Sequence, residues 1–206
     1  MDDIRNLQEL QLDALKEVAN IGAGHAATAL SQMTNRRIMI TVPQVNVTRL
    51  EQVAEILGSP DDVVAAVLMH MMGDLTGRTM VLFPVESAGL LCDILLHRPL
   101  PTTKEFGLME ESGLKEAGNI LSSAYLTALS DFMGMMLLPS VPSLVIDLAG
   151  AVLTSTYLNF GYERDFVFCL ETEFVFEEGV QGLRGHFLLM PDLASLRAVF
   201  DAIRLT

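Results

Sequence analysis

The sequence has little cysteine and little positive charge, and it contains no tryptophan. Its two cysteines, Cys92 and Cys169, stand in unrelated contexts without a CxxC pair, which excludes a disulfide framework and favours buried, reduced thiols. Lysine and arginine number 13 against 26 acidic residues, a net charge of −13. This deficit argues against nucleic acid as a partner, because phosphate binding needs clustered cations. The acidity fits plain solubility, or a partner with a basic surface.

Membrane-spanning segments are also lacking. Residues 18–35 and 132–146 carry no charged side chain, but the first stretch contains glycine and asparagine and the second contains two prolines. Neither stretch predicts a spanning helix, so we expect no membrane insertion. The first ten residues have no basic start and no apolar run, so we expect no signal peptide and a cytoplasmic location. The four histidines show no metal-ligand spacing, and we expect no metal ion or other cofactor bound by the protein itself.

One polar pattern is present twice. Four residues separated by four, three and 23 positions recur with identical spacing 99 residues later. The first copy is Asp13, Glu17, Asn20 and Pro43, and the second is Ser112, Glu116, Asn119 and Pro142. Without gaps, residues 13–34 and 112–133 share nine of 22 positions, which indicates an internal duplication.

Secondary-structure signals follow the same order in both halves. The first half predicts a helix over about 5–34, which Asn35 and the two arginines after it end, and a strand over 38–48 in which Pro43 indicates an edge or a bend. It then predicts a short helix from a capping box at Thr48, a hairpin of strands over 63–72 and 78–84 around the turn from Gly73 to Gly77, and a helix over 86–97. The second half predicts a helix over about 104–134, a strand over 137–146, a short helix capped by Asp147, strands over 164–177 and 183–190 around a turn at 177–179, and a helix over 192–204.

We therefore predict an internally duplicated α/β (α+β) fold with pseudo-twofold symmetry. Residues 1–206 form a single domain of two repeats, at about 5–98 and 104–206. Two helix-strand-helix-hairpin-helix units share a largely antiparallel sheet with flanking helices.

Each polar motif occupies one narrow face of a helix. Residues at positions i, i+4 and i+7 fall within about 60° of arc, away from the apolar stripe, so we expect them near solvent. Small residues share this arc, namely Gly24 and Ser31 in the first helix and Ser123 and Ser130 in the second. A carboxamide is a poor base but can hold a water molecule. Glutamate and asparagine together suit hydrolysis of an electrophile that is already activated, such as an acyl phosphate.

The double motif resembles that of the CheC family of chemotaxis phosphatases, which includes CheX and the phosphatase part of FliY. The resemblance covers essentially the whole chain. It implies dephosphorylation of a CheY-type receiver that carries an aspartyl phosphate and its own Mg²⁺. By motif position, Asn20 and Asn119 would orient water, and Glu17 and Glu116 would anchor the receiver. Asp13 and Ser112 would support the sites, and Pro43 and Pro142 would shape the adjoining strands.

The resemblance also implies a second partner, the receptor deamidase CheD. The stretch from Ser143 to Leu148 resembles the segment that the family uses for it, with Asp147 as the contact residue, although an N-cap explains Asp147 equally well. Two motifs in one chain favour the CheC arrangement, and we expect a monomer. Two alternatives stay open: a non-catalytic adaptor for a receiver or a deamidase, and a flagellar switch component, which the absence of a C-terminal switch domain disfavours.

Overall fold

The structure is a computed structural model that describes residues 9–42, 44–160, 167–176, 183–192, 194, 195, 198, 199 and 201. The first repeat contains α1 (Glu9–Thr34), β1 (Ile38–Thr41), β2 (Val45–Thr48), a 3-10 turn (Leu50–Gln52), α2 (Val53–Leu57), β3 (Val63–Gly73), β4 (Gly77–Pro84) and α3 (Val85–Leu95). The second contains α4 (Leu108–Met133), β5 (Leu137–Pro139), β6 (Ser143–Leu148), α5 (Ala149–Phe160), β7 (Val167–Phe176) and β8 (Leu183–Pro191). In the described part of the chain, no helix has the length and apolar character needed to cross a membrane.

All eight strands form one antiparallel sheet, as the fold prediction requires. The order is β1, β7, β8, β4, β3, β5, with β2 also pairing with β7 and β6 also pairing with β3. The edge strands of each repeat therefore pair with the hairpin of the other repeat. One face of the sheet packs against α1, α3 and α4, and the other packs against α2 and α5.

The long helices end where local sequence dictates. Asn35 adopts a left-handed conformation (φ 52°) just after α1, and Gly134 does the same (φ 63°) after α4. At the start of α4, the Gly107 N–H donates to Oε2 of Glu110 at 2.9 Å. Because the Glu110 carboxylate caps the first turn at Gly107, α4 begins at Leu108 and not near residue 104 as predicted.

The predicted strands over 38–48 and 137–146 are both interrupted. Thr41 pairs with Glu173 and Val45 with Leu170, so three positions separate β1 from β2 where β7 has two. The same count separates β5 from β6 opposite β3, where Pro139 pairs with Met71 and Ser143 with Leu68. Each gap contains a motif proline, which has no N–H for the ladder. Three residues opposite two form a β-bulge, a feature that redirects side chains beside functional sites.

Two local predictions were wrong. The predicted short helix is present as the 3-10 turn and α2, but Thr48 is not its N-cap. The Thr48 hydroxyl donates to the Gln52 side chain at 3.0 Å, and Arg49 precedes the 3-10 turn without a side-chain cap. Asp147 is not a helix N-cap, because it lies inside β6. The first N–H groups of α5 donate instead to the carbonyls of Asp62 and Pro60. The predicted turn at 177–179 and most of the predicted final helix lie outside the described residues.

Candidate active sites on the two long helices

The two polar motifs lie on the outer faces of α1 and α4. On each helix the first two motif residues are exposed and the asparagine is half-buried. They are Asp13, Glu17 and Asn20 on α1, and Ser112, Glu116 and Asn119 on α4. The opposite faces of both helices supply buried leucine and alanine to the core, so the sheet fixes the orientation of each polar face.

The helices also pack tightly against each other. A Cβ atom added to Gly22 would lie 2.7 Å from Cδ1 of Tyr125. The Tyr125 ring packs against the Phe187 ring at a tilt of 37° with centroids 4.5 Å apart, and its hydroxyl lies 3.2 Å from the Thr172 hydroxyl. Burial raises the pKa of Tyr125 to about 12, so the phenol stays protonated and serves packing.

Asn20 is held by the bulge that follows its helix. The main-chain N–H of Val42 donates to Oδ1 of Asn20 at 3.2 Å. Because a main-chain N–H can only donate, this contact fixes which end of the carboxamide faces the bulge. The Nδ2 group, with two hydrogens, is then left for another partner. Val42 itself is 1% exposed and belongs to the core.

The second site differs at the corresponding position. Val141 lies 99 residues after Val42, but its side chain is 87% exposed. Among the described residues, no hydrogen bond engages the Asn119 carboxamide. The two sites therefore share their motif residues and differ in how the asparagine is supported. Pro142, in the same bulge, is half-buried, whereas Pro43 lies outside the described residues.

Each site combines a charge with open space. Glu17 and Glu116 are exposed, and neither forms a salt bridge within the part of the chain that the structure describes. A Cβ atom added to Gly24 would meet nothing within 4 Å, and Ser123 occupies the same position in α4. An unpaired carboxylate can bind a cationic side chain of a partner, and the carboxamide beside it can hold water.

The repeated serines further along the motif helices have a structural role that the sequence did not reveal. The Ser31 hydroxyl donates to the Ile38 carbonyl at 3.2 Å and accepts from the Ile38 N–H at 2.9 Å. The Ser130 hydroxyl donates to the Met135 carbonyl. Both serines tie the end of a motif helix to the chain that leads into the next strand, and so position the bulge beside the asparagine.

Val42 and Val141 were missed by sequence reasoning. A signal was available, because a valine precedes the motif proline in both repeats. Valine before proline is an ordinary strand sequence, however, and only the structure shows one side chain turned inward and the other outward. Asp147 is exposed on β6, and its carboxylate accepts the N–H of Leu148 at 2.7 Å.

Comparisons with known proteins agree with this arrangement. The model of the CheC-like family matches residues 10–47 and 109–146, two segments that contain both complete motifs. CheY-P phosphatase CheC of Bacillus subtilis (strain 168) is 33% identical over 205 residues, covering 98% of each chain. The chain belongs to the CheC-like family.

Solved structures show how widely the fold of this CheC-like chain is shared. The crystal structure of Thermotoga maritima FliY aligns with a TM-score of 0.78 at 21% identity, covering 97% of this chain and 98% of that one. A chain of the FliG–FliM complex from H. pylori aligns with a TM-score of 0.69 at 14% identity, covering 95% and 100%. At these identities the likeness shows the fold alone.

Proposed function

We propose that this CheC-family chain hydrolyses the aspartyl phosphate of a CheY-type response regulator at two sites, one on α1 and one on α4. The duplication carries the proposal: the same glutamate and asparagine stand on the exposed faces of two helices whose other faces are buried. A core does not need these polar groups. The name of the B. subtilis relative, a CheY-P phosphatase, supports the same reaction.

The asparagines orient the attacking water. Phosphoryl transfer has a loose transition state, so placing water in line with the leaving group supplies much of the catalysis. Attack forms a bond between the water oxygen and phosphorus as the bond to the aspartyl oxygen breaks. The products are a free carboxylate and inorganic phosphate, which takes the water's protons. Val42 holds the Asn20 oxygen, which leaves the amide group to position the water at the first site.

The glutamates bind the receiver. Glu17 and Glu116 each lie three residues before the asparagine, so carboxylate and carboxamide project from one face about one turn apart. In this proposal each carboxylate pairs with a lysine of the receiver, and the Mg²⁺ that neutralises the phosphoryl oxygens belongs to the receiver. Asp13 and Ser112 support the sites one turn earlier, and Pro43 and Pro142 shape the adjoining bulges.

Phosphate release from a phosphorylated CheY-type receiver tests the proposal. The wild type should accelerate release, either single variant, Asn20→Ala or Asn119→Ala, should retain substantial activity, and the double variant should retain very little. Binding of the receiver should survive in the double variant, because the glutamates remain.

Gln32→Ala is the matched control, since it removes an exposed carboxamide from α1 beyond the motif. It should leave phosphate release unchanged. Complete loss of activity in one single variant would contradict two-site catalysis, and full activity in the double variant would remove the asparagines from the mechanism.

A second candidate function is regulation of a CheD-type deamidase. Among the described strands, β6 pairs on one side only, so its other edge and the exposed Asp147 can meet a partner. Asp147→Ala should weaken deamidase binding without changing phosphate release. Asp131→Ala, which removes an exposed carboxylate from α4, is the control and should bind the deamidase normally. Equal binding by both variants would remove Asp147 from the contact.

A further inference from the structure

Exposed apolar side chains flank the second polar motif at both of its ends. Leu108 and Met109, in the first turn of α4, are 86% and 63% exposed. Leu108 lies four residues before Ser112 and Met109 three, so both are on the same face of the helix as the motif. Val141, 87% exposed, projects from the bulge that follows the helix. Apolar groups this exposed beside polar residues are typical of a protein-binding surface.

The first site has a different apolar neighbour. The counterpart of Val141 is the buried Val42, and an offset of 99 puts Glu9 at the position of Leu108. The same offset puts Leu10 at the position of Met109, and the Leu10 side chain lies outside the described part of the structure. Instead, Ile21 is 54% exposed on α1, directly after Asn20, whereas its counterpart Ile120 packs against the core. Among the side chains that the structure describes, each polar motif therefore has an exposed apolar neighbour, Ile21 at the first site and Leu108, Met109 and Val141 at the second.

We propose that these apolar residues bind the receiver at the two sites. Leu108, Met109 and Val141 contact it at the second site, and Ile21 contacts it at the first. The inference rests on the proposed phosphatase function, and the occupant is the phosphorylated receiver itself. Leu108 and Met109 share one face of α4 with the polar motif, so a receiver that accepts Asn119 in its phosphorylated pocket lies against the same face.

Single-site variants separate the two surfaces. Asn20→Ala leaves only the second site active, and Asn119→Ala leaves only the first. Val141→Ser should raise KM of the second site roughly threefold to tenfold with kcat unchanged, because part of the transfer free energy of one valine side chain is lost on binding. In the Asn119→Ala background, where only the first site is active, Val141→Ser should leave both KM and kcat unchanged. Ile21→Ser should show the reverse pattern, and serine and isoleucine have similar helix propensities.

Direct binding supplies a second readout. A receiver held active by beryllofluoride, titrated against each variant, should show the same selective weakening in Kd. Leu158→Ser is the matched control, because it removes an exposed leucine from α5 on the opposite face of the sheet and should alter neither site.

Failure of the inference and failure of the proposed function look different. If both single-site variants release phosphate but Val141→Ser and Ile21→Ser leave every KM and Kd unchanged, or shift both sites equally, the assignment of these residues to receiver binding is wrong. If the wild type releases no phosphate, the proposed function is wrong, and the binding titration then decides the surface alone: selective weakening supports it and its absence overturns it.

Discussion

Replacing Gly118 with alanine should destabilise the protein and disturb the second site. A Cβ atom at this position would lie 2.5, 2.7 and 2.9 Å from Cγ1, Cβ and Cγ2 of Val67. Val67 is fully buried, and its strand pairs on both sides, opposite Val81 and Leu144. Its branched side chain has little rotamer freedom, so α4 must move away from the sheet.

The expected cost follows from two opposing effects. Overpacking in a core typically costs about 1–3 kcal/mol. Replacing glycine with alanine inside a helix stabilises the helix by about 1 kcal/mol. The net loss is then up to about 2 kcal/mol, which lowers Tm by roughly 2–4 °C per kcal/mol in a chain of this size.

Thermal unfolding with Gly24→Ala as the control is the assay. Gly24 lies in the same kind of helix but is exposed with no atom near its missing Cβ, so Gly24→Ala should raise Tm slightly. Because Asn119 follows Gly118 directly, Gly118→Ala should also reduce phosphate release in the Asn20→Ala background and spare the Asn119→Ala background. A rise in Tm equal to that of Gly24→Ala would refute the reasoning.

A double-mutant cycle identifies the contact responsible. Val67→Ala alone should destabilise by leaving a cavity beside α4. Combined with Gly118→Ala, the added methyl group enters the space that the valine leaves. The two changes should therefore cost less together than the sum of the single effects, whereas strict additivity would show that Val67 is not the obstacle.

Two further predictions concern buried ionisable groups. Burial would raise the pKa of the Asp93 carboxyl, but hydrogen bonds from the Thr103 hydroxyl and from the N–H groups of Thr102 and Thr103 hold it below its usual range. A lowered pKa gives stability above the unfolded-state value that is lost as pH falls, so Asp93→Asn should cost about 1.5–3 kcal/mol at pH 7 and progressively less below about pH 4 in chemical denaturation; a deficit independent of pH would contradict this. Burial raises the pKa of the Cys92 and Cys169 thiols to about 12, so at pH 8 a thiol-disulfide reagent should modify neither cysteine in the native protein and both in denaturant.

Local signals predicted the helices, strands and turns of this fold well, and the contacts between distant segments poorly. The Gly73 and Gly77 turn predicted the β3–β4 hairpin, and Asn35 predicted the end of α1, because these residues favour conformations that others avoid. Asp147 misled, since an acidic residue before a helix is a common cap, but main-chain carbonyls from a distant loop satisfy the first turn of α5 instead. Nothing local to residue 147 encodes that loop.

By itself, the sequence determined the duplication, the helices that carry the two motifs and the chemistry of the motif residues. These follow from spacing and side-chain type, which are local properties. Only the tertiary structure decided that each repeat completes the sheet of the other, because this pairing joins residues far apart in the sequence, such as Ile38 with Phe176 and Val63 with Leu148. It also decided that Val42 turns into the core while Val141 turns outward, since identical valines before identical prolines meet different packing.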